Sequence, residues 1–299
     1  MYHIFGLTIH STIPLPSHPN SHSPQDVAPD VIIEYGKTPE TLTNPKSKGL
    51  RFQAGEGEFL LRVDGVARYY VQDGRRVTIM PETGSGNDDI LVFLMGSALG
   101  ALLHQRNILA LHAAAIAVNG GSVIFSGPSG IGKSTVAAGF HQRGYPFLAD
   151  DVCAITTTNR HPAVLPGFPR LKLWADCLKK IEQDKNKLKS IRWGKGLEKY
   201  FLPVERIQDT PVPIKAVFIL GSTNRDNMEI NVLKAGGKID PILNNTYRLR
   251  FLEGLGGKRD HFQQCADVAS KAAVYRAVRP DKGFRLQELL DLIEKRFLS

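Results

Sequence analysis

The sequence predicts an α/β protein, with a β-rich N-terminal module at residues 1–88 followed by a larger part at 89–299 built on a strand, a glycine loop and a helix. Short alternating strands at hairpin spacing predict the first module. The run Val123-Ile124-Phe125, a glycine loop, then Thr135 to Arg143 predicts a buried strand feeding a helix. A second apolar run, Pro146-Phe147-Leu148-Ala149, ends in the carboxylates Asp150 and Asp151.

The elements follow in order. Pro14 to Pro29 is rich in Pro, Ser, His and Asn and reads as an irregular loop. Val31 to Ile33 is a strand; Phe59 to Val63, Ala67 to Val71 and Val77 to Ile79 follow, turned at Asp64-Gly65 and Asp73-Gly74. Asn87-Asp88-Asp89 should cap a helix from Ile90 to Gln105. Leu109 to Val118 reads as one strand, Asn119-Gly120 as a two-residue turn, and Ser122 to Phe125 as the strand entering the loop. Gly144 should stop the loop helix. Val152 to Ile155 and Ile214 to Leu220 are further strands. Ile239 to Phe251, Phe262 to Ala269 and Phe284 to Phe297 are helices, the last amphipathic through Leu286, Leu289, Leu290 and Ile293.

Gly127-Pro128-Ser129-Gly130-Ile131-Gly132-Lys133-Ser134 fits the G-x-x-x-x-G-K-[ST] pattern. In that pattern backbone N–H groups wrap phosphates, the lysine reaches the β- and γ-phosphates, and the hydroxyl holds Mg²⁺. A helix N-terminus behind the loop adds partial positive charge. The run therefore implies a nucleoside triphosphate, held by Gly127, Ser129, Gly130, Ile131, Gly132, Lys133, Ser134 and Thr135. Asp150 and Asp151 stand at a strand end after the loop helix. One carboxylate there can serve Mg²⁺ and the other can accept a proton. His112 precedes the loop strand; if the two strands pair antiparallel, it lies level with the loop and close to Asp150.

The chain has 299 residues, 42% hydrophobic and 22% charged, ordinary for a globular protein. Its apolar runs are too short or interrupted to span a bilayer, and Met1 to Phe5 lacks the features of a signal peptide. Cys153, Cys177 and Cys265 form no CxxC pair, which argues against structural zinc and suits a reducing cytoplasm. The net charge of +9 suits a site for phosphates and an acidic partner. Its densest stretch, Lys179 to Lys199, carries Trp193 and Tyr200 but no nucleic-acid-binding signature, so it reads as a solvated face or a phosphate- or peptide-facing loop. Self-association is left open.

Leu111-His112-Ala113, Ser126 to Ser134 and Leu148-Ala149-Asp150-Asp151-Val152 together resemble the catalytic core of the HPr kinase/phosphorylase family over residues 109–156. The resemblance implies the fold shared with phosphoenolpyruvate carboxykinases, a mixed sheet with flanking helices around a phosphate loop. It implies ATP and Mg²⁺ as cofactors, Asp150 as catalytic base with His112 as its electrostatic partner, Lys133 in catalysis, and Ser134 with Asp151 on the metal side. The family's Glu-Xaa-Arg-Gly-Leu-Gly segment is absent, and Pro166 to Trp174 stands in its place. Phe5-Gly6-Leu7, Ile13-Pro14-Leu15-Pro16, Pro169 to Trp174, Lys199-Tyr200-Phe201 and Thr246-Tyr247-Arg248 look like a branch encoded beside lasso-peptide precursors. That branch implies an ATP-dependent serine kinase acting on a precursor's C-terminal serine, with Arg170, Arg248 and Lys199 as candidate substrate contacts. A carrier-protein kinase and a non-catalytic nucleotide-binding regulator are the alternatives.

Overall fold

The computed structural model describes residues 1–16, 27–192, 198–204, 210–283 and 285–298. The centre of the predicted Pro14–Pro29 loop, Trp193 and Lys195 of the basic stretch, and Phe284 lie outside these residues.

The architecture is mixed α/β with a β-rich N-terminal sheet. That sheet has eight strands, in the order Tyr2–Ile4, Leu7–Ser11, Val31–Tyr35, Arg76–Pro81, Ala67–Gln72, Glu58–Val63, Phe52–Gly55 and Ser47–Lys48. The predicted hairpins form; Asp73 and Gly74 take φ of 49° and 62°, the left-handed pair at the centre of a turn closed by Arg75 N–H to Gln72 O at 2.8 Å. Two strands before Val31 go beyond the sequence expectation: Leu7–Ser11 pairs parallel with Val31–Tyr35, and Tyr2–Ile4 closes the edge as an antiparallel hairpin with Leu7–Ser11.

A helical stretch then crosses the inner face of this sheet. It runs Asn87–Phe93 and Leu99–Gln105 as α-helix, joined by a π-helical segment at Leu94–Ala98. The expected Asn87-Asp88-Asp89 cap is corrected: the helix starts at Asn87, Gly86 is the N-cap, and no side chain caps it. Every residue of the π segment is buried. One hydrophobic cluster includes Ile33, Phe59 and Tyr69 from the sheet, Leu94 and Leu102 from the helix, and Val152, Leu165 and Phe251 from later in the chain. The boundary at residue 88 therefore marks a change of composition and leaves the core continuous.

The second sheet has nine strands and carries the loop. Ala113–Val118 and Gly121–Ser126 pair antiparallel around Asn119-Gly120, at φ of 46° and 75°. Gly121–Ser126 also pairs parallel with Val212–Thr223, which pairs parallel with Ala273–Pro280. Strands buried on both faces read as unbroken apolar runs, which Val123-Ile124-Phe125 is. The loop helix Lys133–Gln142 and the helix Leu286–Ile293 cover one face. Lys258–Lys271 and Ile239–Asn244 cover the other. Leu286, Leu289, Leu290 and Ile293 are buried, as their spacing predicts. A third sheet of three strands, Arg170–Trp174, Glu198–Pro203 and Lys189–Arg192, lies beside the site.

Two long predicted elements are broken. Leu109–Val118 is two strands, Leu109–Leu111 and Ala113–Val118, interrupted at His112. Ile239–Phe251 is an α-helix to Asn244, a bridge from Thr246 to Leu111, and a short 3-10 turn at Leu249–Phe251. Among the described residues, no helix is long and apolar enough to cross a membrane.

Candidate active site

The glycine loop leaves its strand where a side chain has no room. A Cβ on Gly127 would meet the Leu220 carbonyl oxygen at 2.6 Å, and its φ is +142°. Gly130 and Gly132 also take positive φ, 83° and 110°. Gly132 is the N-cap of Lys133–Gln142 and no side chain caps that helix, so its first-turn N–H groups are left for an anion. Lys133 is buried and its Nζ donates to the Gly127 and Pro128 carbonyls at 2.9 and 3.0 Å. Burial lowers its ammonium to about 8. Arg279 donates Nη2 to the Ile131 carbonyl at 3.2 Å and props the loop from Ala273–Pro280, two strands away from the loop strand.

The histidine and the two aspartates meet because a two-stranded ribbon bends. Ala113–Val118 pairs with Phe147–Ala149 on one side of the bend, and Leu109–Leu111 pairs with Cys153–Thr158 on the other. The bend falls at His112 on one chain and at Asp150 to Val152 on the other. His112 donates its backbone N–H to Asn245 O at 2.8 Å. Asp151 takes φ of +66°, the left-handed region that aspartate tolerates better than most side chains and in which a tight bend can be made.

The aspartates divide their partners differently from the sequence expectation. His112 Nε2 stands 3.6 Å from Asp151 Oδ1, so the histidine faces Asp151 and not Asp150. Burial, with Lys133 next, lowers the His112 imidazole to about 4. At neutral pH the contact is therefore a neutral ring beside a carboxylate and not an ion pair. Burial pushes Asp151 upward, but Lys172, His112 and Lys199 outweigh it and hold the carboxylate below its ordinary value. Lys172 Nζ lies 3.4 Å from Asp151 Oδ2. Asp150 Oδ2 accepts the Lys172 backbone N–H at 2.7 Å, and the nearby Ser134 hydroxyl favours the charged form of the same carboxylate. Ser134 thus sits with Asp150, where the resemblance implied Asp151. Asp150 Oδ1 is shut off from solvent with no hydrogen-bond partner, and burial raises the acid to about 6.

The predicted substrate cations surround this centre. Arg170 stacks on Phe201, with its guanidinium 3.7 Å from the ring centroid, and feels both aspartates. Burial lowers it to about 10. Lys199 Nζ lies 4.1 Å from the Trp174 ring across the three-stranded sheet. Arg248, at φ of +52°, flanks Tyr247.

Two cavities meet here, beside a third of about 30 Å³ that Asp150, Asp151, Arg170 and Phe201 line. The smaller of the two, about 60 Å³, is lined by Gly130, Gly132, Lys133, Ser134 and Thr135. The larger, about 980 Å³, opens toward Phe52, Val92, Tyr247 and Arg250. His112, Ser129, Asp151, Lys172, Trp174 and Lys199 line both.

Sequence reasoning missed Lys172 and Tyr247 as site residues, although both fall in segments the resemblance singled out. Arg279 left no signal, since a strand arginine late in the chain has no spacing that ties it to the loop. Among the described residues, no group of three or more His, Cys, Asp or Glu could hold a metal alone.

No protein-family model and no curated protein matches the chain. Among solved structures it is similar to the HPr(Ser) kinase/phosphatase from Coxiella burnetii, at 13% identity and a TM-score of 0.33, over 62% of this chain and 88% of that one.

Proposed function

We propose that this chain is an ATP- and Mg²⁺-dependent kinase that moves the γ-phosphoryl group to a serine hydroxyl of a peptide or small protein. The observation that carries the reading is the pair of cavities meeting at Asp151. One is shaped by the glycine loop and fits a phosphate chain; the other is large enough for a chain segment. A group transferred between them passes the shared wall of His112, Asp151, Lys172 and Lys199.

The residues divide the work as follows. The N–H groups behind Gly130 and Gly132 hold the β- and γ-phosphate oxygens. Lys133 exchanges its bonds to Gly127 and Pro128 for the phosphates. Ser134 and Asp150 are the pair that fits Mg²⁺: a hydroxyl beside a carboxylate whose Oδ1 has no partner. Bound Mg²⁺ neutralises phosphate charge and aligns the leaving oxygen. Asp151 accepts the serine proton as the oxygen bonds to the γ-phosphorus and the β–γ bridging bond breaks, releasing ADP. Neutral His112 orients that carboxylate, and Lys172 and Lys199 stabilise charge on the transferring group. This exchanges the roles of the two aspartates relative to the family assignment.

In this reading the acceptor serine ends a ribosomally made peptide, of the lasso-precursor kind, with its free carboxylate on Arg248. Arg170, packed on Phe201 and engaged with both aspartates, acts on the site's charge instead. Incubation with ATP, Mg²⁺ and a peptide ending in serine should give a product one phosphate heavier, located on that serine by mass spectrometry. Phosphate on an internal serine, or no transfer to any serine peptide or carrier protein, overturns the assignment.

A further inference from the structure

The mouth of the large cavity is formed by two tips of matching composition from opposite ends of the chain. Leu50-Arg51 sits in the tight turn between Ser47–Lys48 and Phe52–Gly55, closed by Gly49 N–H to Phe52 O at 2.9 Å. Leu249-Arg250 begins the 3-10 turn Leu249–Phe251. Each tip presents an exposed leucine beside an exposed arginine; Leu50 is 99% and Leu249 41% accessible. The tips share a rigid floor, because Phe251 packs on Phe52 and Phe59 with ring centroids 4.7 and 4.5 Å apart. Neither tip belongs to the phosphate-loop compartment.

Exposed leucines cost hydration that a partner's apolar side chain would recover. Among the described residues, the lining of this cavity carries Arg51, Lys172, Lys199, Arg248 and Arg250 and one carboxylate, Asp151, which Lys172 faces at 3.4 Å. A ligand that matches this wall is anionic and apolar at once, and the cavity volume suits a chain segment.

We propose that Leu50-Arg51 and Leu249-Arg250 form a two-sided clamp that docks an acidic segment of the acceptor peptide bearing apolar side chains, so that the N-terminal sheet reads the substrate while the loop-bearing sheet carries the chemistry. The proposal rests on the kinase reading for its acceptor, but it makes a binding claim of its own.

Fluorescence anisotropy on the full chain tests it, with a fluorescein-labelled Glu-Leu-Glu-Leu-Ser peptide and its Lys-Leu-Lys-Leu-Ser counterpart as probes. The acidic peptide should bind at least about tenfold tighter, and the double variant Arg51→Glu/Arg250→Glu should lose about tenfold, the scale of one or two charge-assisted contacts. Binding of a fluorescent ATP analogue to that variant should stay within about twofold of the parent, which reports an intact fold and loop. No binding of the acidic peptide, equal binding of both peptides, or an unchanged double variant overturns the clamp. Displacement of the peptide by succinate at equal concentration overturns it in favour of a small dicarboxylic acid. The kinase reading fails separately, if the clamp holds while the chain neither binds the nucleotide analogue nor transfers phosphate.

Discussion

Asp150 and Asp151 are adjacent in sequence, yet their surroundings drive them apart. Asp150 is sealed against Ser134 and raised to about 6, whereas Asp151 faces His112, Lys172 and the junction of the two cavities and is held low. Asp151→Asn should cut turnover about 10²–10⁴-fold, as for a lost general base, with Mg²⁺ dependence unchanged. Asp150→Asn should instead raise the Mg²⁺ concentration needed for nucleotide binding. Metal titrations of both variants check the division, and the reverse pattern would make Asp150 the base and put Asp151 on the metal side. Asp150 also sets a pH effect. An acid raised from 3.8 to about 6 on folding favours the folded state below its unfolded value and loses that contribution as pH rises through about 6. In EDTA, Asp150→Asn should therefore melt a few degrees above the parent at pH 7.5, at about 2–4 °C per kcal/mol, with the gain shrinking toward pH 4. The glycine loop and the paired acids were legible because their chemistry is written in consecutive residues. The His112–Asp151 pairing was not, because it depends on where two chains bend together.

At the scale of elements, the sequence hid the breaks that matter. Leu109 to Val118 is apolar throughout, and no local signal marks the kink at His112; the cause is Asn245, far along the chain, which takes its N–H. Ile239 to Phe251 reads as one helix, but Thr246 leaves it to bridge Leu111. The segment so placed is locked by His104 Nε2, which donates to Tyr247 O at 2.8 Å, and by a hydrogen bond at 2.8 Å between Thr246 Oγ1 and His261 Nε2. Room for the Tyr247 ring comes from two glycines one turn apart. A Cβ on Gly96 would lie 2.9 Å from Tyr247 Oη, and one on Gly100 2.9 Å from its ring. Tyr247 in turn packs edge-on to His112, at 6.1 Å between centroids. Gly100→Ala should cost about 1–3 kcal/mol through overpacking and lower kcat further than the stability loss explains, because the displaced ring carries His112 with it. Thermal melts and steady-state kinetics on the same samples separate the two effects. A fall in stability with unchanged kcat would remove the helical stretch from the site.

Across the whole molecule, the division at residue 88 has a testable consequence. Composition separates a hairpin-rich start from a loop-bearing remainder. Packing does not respect it. The eight-stranded sheet and the helical stretch Asn87–Gln105 bury one cluster, with Tyr69 Oη donating to the Ile90 carbonyl at 2.9 Å within it. Phe52 and Phe59 close on Phe251, and Phe5 on Phe168, so the N-terminal sheet also supports the segments that carry Arg248 and Arg170. A chain starting at residue 89 would leave Leu94, Leu99, Leu102 and Leu103, each at most 1% exposed, without the sheet they pack against. Exposing large side chains of this kind costs about 1.5–3 kcal/mol each, so the four together approach the roughly 5–15 kcal/mol by which a domain is stable. Residues 89–299 alone should therefore lack a cooperative thermal transition by circular dichroism and should not bind a fluorescent ATP analogue. Supplying residues 1–88 as a separate chain should restore part of both signals. If the shorter chain melts cooperatively and binds nucleotide unaided, the N-terminal sheet is an independent module, and its contacts with the active-site segments are dispensable for the loop.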